Sequence, residues 1–204
     1  MMHRPVVTVA AEHGAGGDLV APRVADALGV PFLDRALPAS LAAAASDESE
    51  VQQKALVGRL ARASTMFAGE PVEGIDRDEA RIRAELTTFL ARASTEGGVV
   101  LGRGGVVVLA DSPAALHVLL SGCRDGRVQR VAEREGISRA EAERRVRELD
   151  RARREYSRRV FGVDTDDRTL YHLIVDTVAL GIDAGVELVL AATRVRIKQA
   201  AGGS

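Results

Sequence analysis

"VVTVAAEHGAGGDLVAPRVADAL", residues 6–28, decides the fold. Val6 to Ala10 is a short, largely β-branched run of the kind a buried strand uses. A glycine turn, Gly14 to Gly17, follows it. A helix comes next, with Val20, Val24 and Leu28 on one face and Gly29 as its stop. "VPFLDR", residues 30–35, reads as a second strand. Strand, helix, strand is one βαβ unit, which favours a parallel sheet with right-handed crossovers. Amides of a tight glycine turn can converge on a phosphate, and the following helix adds the positive end of its dipole. A plain turn that needs glycines for close packing would use the same residues. The usual phosphate-binding loop ends in lysine and serine or threonine. Here Gly17, Asp18 and Leu19 stand at its end. A carboxylate at Asp18 would repel a phosphate unless it points away, although the helix dipole favours an acid there.

Outward from this unit, residues 36–96 contain no convincing strand. Their patterns read as helix, turn, helix and loop, and Asp76 with Glu79 resembles a capping box that opens a helix carrying Ile82, Leu86, Phe89 and Leu90. "VVLGRGG" (99–105) reads as a third strand ending in a glycine turn, and "ALHVLLS" (115–121) as a fourth. Arg124 to Glu135 reads as a helix stopped by Gly136. Ser138 and Glu141 form a second capping box, opening a long arginine-rich helix to about Val160. "LYHLIVDT" (170–177) reads as a fifth strand, and a last helix starts near Asp183. Five strands with interleaved helices imply a three-layer α/β domain. The helical stretch between strands two and three is too long for an ordinary crossover and reads as an insertion that could cover a substrate.

The 204 residues are enough for one such domain, and with 46% hydrophobic residues the chain is not disordered. A net charge of −1 gives no global reason to expect nucleic acid or membrane as partner. No apolar run approaches the ~20 residues of a membrane span, and the N-terminus has no signal-peptide pattern. Cys123 is the single cysteine, so a cytoplasmic, reducing compartment is expected. Lysine occurs only at Lys54 and Lys198, so cationic side chains on phosphate must be mostly arginines.

Three groups of arginines stand out. Arg103, in "LGRGG", lies just past a strand, at the edge where open α/β sheets bind ligands. Asp34 ends the second strand at the same edge, where it could accept hydrogen bonds from a base or sugar, orient Arg35, or cap a helix. Arg124, Arg127, Arg130 and Arg134 recur on one helix, as phosphate ligands or as a solvated face. On the long helix Val146, Leu149, Tyr156 and Val160 define an apolar face, with Arg153 in its gap. An arginine there must reach a carboxylate or a phosphate, or snorkel out. A further row holds Arg147, Arg151, Arg154 and Arg158. Phosphoryl transfer needs such guanidiniums, because its transition state spreads negative charge over equatorial oxygens.

Taken in order, "AAEHGAGGD", "GVPFLDR", "LGRGGVVVLAD", "LHVLLSGCRDGRVQRVAEREGIS", "DRARREYSRRVFGVD" and "YHLIVDT" resemble the cytidylate kinase-like family of P-loop nucleoside monophosphate kinases over nearly the whole chain. The resemblance implies a single three-layer P-loop kinase domain over residues 1–204, with a five-stranded parallel sheet. It implies a helical NMP-binding insertion near residues 36–96 and an arginine-rich lid near 150–165. ATP phosphates would sit on Gly14, Ala15, Gly16, Gly17, Asp18 and Leu19. The monophosphate would be held by Asp34, Arg35 and Arg103. Arg153, Arg158 and Arg130 would neutralise charge in catalysis, and Arg127 and Asp150 would lie along the phosphate channel. Mg²⁺ would accompany ATP. Leu19 cannot coordinate it, which leaves Glu12 as a candidate to help hold the metal.

Two functions follow. One is ATP-dependent phosphorylation of a nucleoside monophosphate, CMP or dCMP first. The other is a catalytically impaired nucleotide-binding protein on the same fold, favoured by Ala10, Ala11, Asp18 and Leu19. A nucleic-acid binder is the weakest reading, since net charge is near zero and stacking aromatics are scarce. The sequence leaves the oligomeric state open.

Overall fold

The computed structural model describes residues 4–33, 90, 93, 96–102 and 104–202. The element order begins with β1 (Val6–Ala11), α1 (Gly17–Leu28), β2 (Phe32–Leu33), β3 (Gly98–Leu101) and α2 (Gly105–Val108). It continues with β4 (Ala115–Ser121), α3 (Arg124–Glu135) and α4 (Arg139–Phe161). A 3₁₀ turn (Arg168–Leu170), β5 (Leu173–Asp176), α5 (Thr177–Leu180) and α6 (Ile182–Gly202) complete it.

Alternation along β1 sends Val7 and Val9 to one face of the sheet and Val6 and Thr8 to the other. Val7 and Val9 join Val99, Leu101, Leu116, Val118 and Leu120 under Val20 and Val24 of α1 and Val186 and Val189 of α6. On the opposite face Val6 and Val100 pack with Leu90, Ala93, Leu109 and Ala115. Both faces are covered, which is why the strands read as near-continuous apolar runs.

The strand order is β2-β3-β1-β4-β5, and every pair is parallel. The chain leaves β1 toward β2 and β3 on one side and later fills β4 and β5 on the other. The loops after β1 and β4 therefore diverge at the carboxyl edge, which is where open α/β sheets bind ligands. Among the described residues no helix is long and apolar enough to cross a membrane.

Several elements are shorter than their sequence patterns suggest. Of the second strand, Phe32–Leu33 fall among the described residues, paired in parallel with β3. The third stops at Leu101: Gly102 and Gly104 take φ of +73° and +65°, and the chain turns into α2. The fifth begins at Leu173, with Arg168–Leu170 wound as 3₁₀ and Thr177 already helical. On α4 the buried positions are Ala142, Val146, Asp150, Ser157 and Val160, so the buried face lies one residue over from Leu149.

Candidate functional site

The loop between β1 and α1 is held from behind by three side chains. Arg127 Nη1 donates to the His13 carbonyl at 2.8 Å, and Arg130 Nη1 to that of Gly14 at 3.0 Å. Thr177 Oγ1 donates to the Ala15 carbonyl at 2.7 Å. Three successive carbonyls are thus drawn toward α3 and α5. Among the described residues the amides of Gly14, Gly16 and Gly17 donate to no acceptor. Gly14 and Gly16 adopt φ of +84° and +77°, the left-handed conformation that lets neighbouring amides form an anion-binding concavity. Space demands glycine as well: a Cβ on Gly14 would lie 2.6 Å from the Arg127 carbonyl oxygen, and one on Gly17 2.7 Å from Ala11 Cβ.

Arg127 and Asp150, expected along a phosphate channel, are found beneath this loop. The His13 amide donates to Asp150 Oδ1 at 2.8 Å, and Arg127 Nη1 pairs with Asp150 Oδ2 at 2.8 Å. Arg127 Nε donates to the Gly122 carbonyl at 3.1 Å and lies 3.3 Å from Glu12 Oε2. Both partners are buried, Arg127 at 7% exposure and Asp150 at 8%. Their charges answer one another in the interior, and their effect on a ligand passes through the loop they brace. Arg130 also donates from Nη2 to the Thr177 carbonyl at 2.8 Å, and its Nη1 would lie 3.6 Å from a Cβ on Gly16.

Asp18 is matched rather than left facing a phosphate. Its carboxylate takes both Nη atoms of Arg134, at 2.7 and 3.3 Å, and this hydrogen bond raises the arginine's pKa further. Leu19 is half-buried in the first turn of α1 and offers no oxygen. Glu12 Oε2 accepts from Ser121 Oγ at 2.9 Å, joining the ends of β1 and β4. No group of three His, Cys, Asp or Glu side chains that could hold a metal occurs among the described residues.

The structure does not bring Arg153 and Arg158 to the glycine loop. Arg153 donates to Thr165 Oγ1 at 3.2 Å and pairs with Asp166 at 2.5 Å, and among the described residues its buried Nε has no partner. Arg154 shares Asp166 at 3.3 Å, and Arg158 pairs with Asp164 at 2.5 Å. The hydrogen bond from Arg158 holds the Asp164 carboxyl below its usual range. The stretch "VDTDD" therefore clamps the arginines of α4. Phe161, at the end of that helix, lies against Gly104, where a Cβ would come within 2.3 Å of the ring. Asp34, Arg35, Arg103 and the insertion assigned to 36–96, apart from Leu90, Ala93 and Glu96, lie outside the described residues.

Beside the loop, Ser121, Gly122, Cys123, Arg168, Ile174 and Asp176 line an open cleft of about 560 Å³. Sequence reasoning missed Thr177, which is fully buried and touches both the loop and Arg130. Its place directly after the last strand, at the ligand edge, was the available signal.

A five-stranded parallel sheet of this order, with a glycine loop leading from its central strand into a helix, is the P-loop kinase fold. The same fold is found in a gluconokinase from Sinorhizobium meliloti, with a TM-score of 0.56 at 20% identity over 100% of this chain and 99% of that one. A protein from Eubacterium ventriosum has a TM-score of 0.66 at 20% identity, covering 93% and 98% of the two chains. Residues 6–179 match the cytidylate kinase-like family, and the chain belongs to it. A cytidylate kinase of Methanopyrus kandleri is 32% identical over 117 residues, 53% of this chain and 61% of that protein. The matched region spans about three fifths of that relative's length.

Proposed function

We propose that this protein transfers the γ-phosphoryl group of ATP to a nucleoside monophosphate, with CMP or dCMP as the preferred acceptor. The observation that carries the reading is the loop itself. Its carbonyls at positions 13, 14 and 15 are pinned away by Arg127, Arg130 and Thr177, while the amides of Gly14, Gly16 and Gly17 have no acceptor among the described residues. Such a cradle, at the N-terminus of α1, suits a polyphosphate. The cleft beside it is of the size that nucleosides fill.

Catalysis in this reading is positioning and charge neutralisation, with no covalent intermediate. A 5′-phosphate oxygen of the acceptor attacks the γ-phosphorus in line, and the bond to the β-γ bridging oxygen breaks, releasing ADP. Arg130 is the guanidinium held at the loop. Arg153 and Arg158 are the second source of charge: phosphate oxygens compete with Asp166 and Asp164 for them as α4 moves over the substrates. Glu12 and Ser121 are the oxygen donors available to Mg²⁺, which usually binds through one or two carboxylates and the substrate phosphates. Mg²⁺ bound there would neutralise the β and γ oxygens. We place the reaction in the cytoplasm, where a lone thiol such as Cys123 stays reduced.

A catalytically impaired nucleotide binder is favoured by one observation. Leu19 stands where an oxygen ligand is usual, and among the described residues no lysine reaches the loop, whose carbonyls take Arg127 and Arg130. Incubation with ATP, Mg²⁺ and each of CMP, dCMP, UMP, AMP and GMP, followed by chromatography of ADP and diphosphate products, separates the two. CDP or dCDP formation supports the kinase. Saturable nucleotide binding with no product from any acceptor supports the impaired binder.

A further inference from the structure

Leu180, Leu188 and Val195 are the large apolar side chains left exposed among the described residues, at 55, 41 and 55%. All three lie on α5 and α6. Leu188 and Val195 are seven residues apart and share a face of α6, with Ala184 and Ala191 at the intervening spacings of four and three. This stripe is distinct from the buried side of the helix, which presents Gly185, Val186, Val189 and Thr193 to the sheet. Glu187 and Arg194 flank the stripe, also seven apart and both exposed. Among the described residues neither makes an ion pair, whereas Asp183 on the same helix is taken by Arg23.

We propose that α6 packs antiparallel against α6 of a second copy of this chain, about a two-fold axis passing between Val189 and Leu190. That axis places Leu188 opposite the partner's Ala191 and Val195 opposite the partner's Ala184, so each large side chain meets a small one. The same axis sets Glu187 opposite the partner's Ala192, about 3 Å along the helix from the partner's Arg194 and within side-chain reach of it, twice over. A patch that is complementary to itself under a two-fold is what an isologous contact requires, and an unrelated partner would not need these pairings. The alanines allow close approach of the two backbones, and the charges fix direction and register. One helix pair is a small interface, so association is weak and concentration-dependent.

Sedimentation equilibrium of the full chain tests this. The mass should rise with concentration from 21.6 kDa toward twice that value. The L188E/V195E variant should stay at single-chain mass throughout, with an unchanged circular dichroism spectrum. E187R and R194E should each weaken self-association by roughly threefold to tenfold, and E187R/R194E should restore it. Single-chain mass at every concentration overturns the proposal. So does a dimer indifferent to L188E/V195E, or one that the double charge exchange weakens further. Should L188E/V195E fail to fold, the three charge variants decide the matter alone.

Discussion

Gly14 shows how much depends on a single missing atom. At φ +84° an alanine is strained, and its Cβ would press on the Arg127 carbonyl 2.6 Å away. G14A should cost about 1–3 kcal/mol in urea denaturation and abolish ATP binding measured by calorimetry. Asp150 carries a different load, since it answers both the His13 amide and Arg127 in the interior. D150A removes the closer of the two carboxylates that face the buried Arg127 guanidinium among the described residues and should destabilise the fold by about 3 kcal/mol in the same assay. The glycines were legible from sequence, because only a few turn types need so many. The direction of Asp150 was not: i,i+3 and i,i+4 spacing places a residue on a helix face but does not say what lies across from it. The same holds for Asp18, whose carboxylate is paired with Arg134 of α3 across the fold.

At the scale of elements, α4 begins where its capping box predicts, with Ser138 Oγ accepting from the Glu141 amide. S138A should lower stability by about 1 kcal/mol. Further along the helix, R153A should leave helicity unchanged and reduce turnover at least about a hundredfold, the loss typical for a donor aimed at transition-state charge. An unchanged rate would remove Arg153 from the mechanism. The sheet holds a pH-sensitive pair. His117 of β4 donates to or accepts from Thr8 Oγ1 at 2.8 Å and stacks on His172, ring centroids 4.8 Å apart. Burial, then the neighbouring His172 and Arg196, push the His117 pKa down to about 4, and burial lowers that of His172 too. The fold thus prefers neutral imidazole. Its contribution is complete above pH ~6.5 and is lost as pH falls toward 4, by up to about 3 kcal/mol for His117. Denaturant midpoints measured across that range should fall more steeply for the natural protein than for H117Q.

For the whole molecule, a ligand that binds only the folded state stabilises it by mass action. ATP at a hundred times its dissociation constant should add about 2.7 kcal/mol and raise the melting temperature by several degrees. G14A should show no such shift. The sequence by itself determined the parallel α/β architecture, the glycine loop after the first strand, most helix ends and the ligand edge. Those features follow from local causes: apolar periodicity, caps and left-handed glycines act within a few residues of where they are written. Only the tertiary structure decided that Arg127 and Asp150 brace the loop from below, that Thr177 completes it, and that Asp164 and Asp166 hold arginines of α4. Each is a choice of partner made across the fold by charge and burial. Neighbours more than a hundred residues away in the chain, as Arg127 is from His13, are fixed by how helices dock on the sheet, which no local pattern encodes.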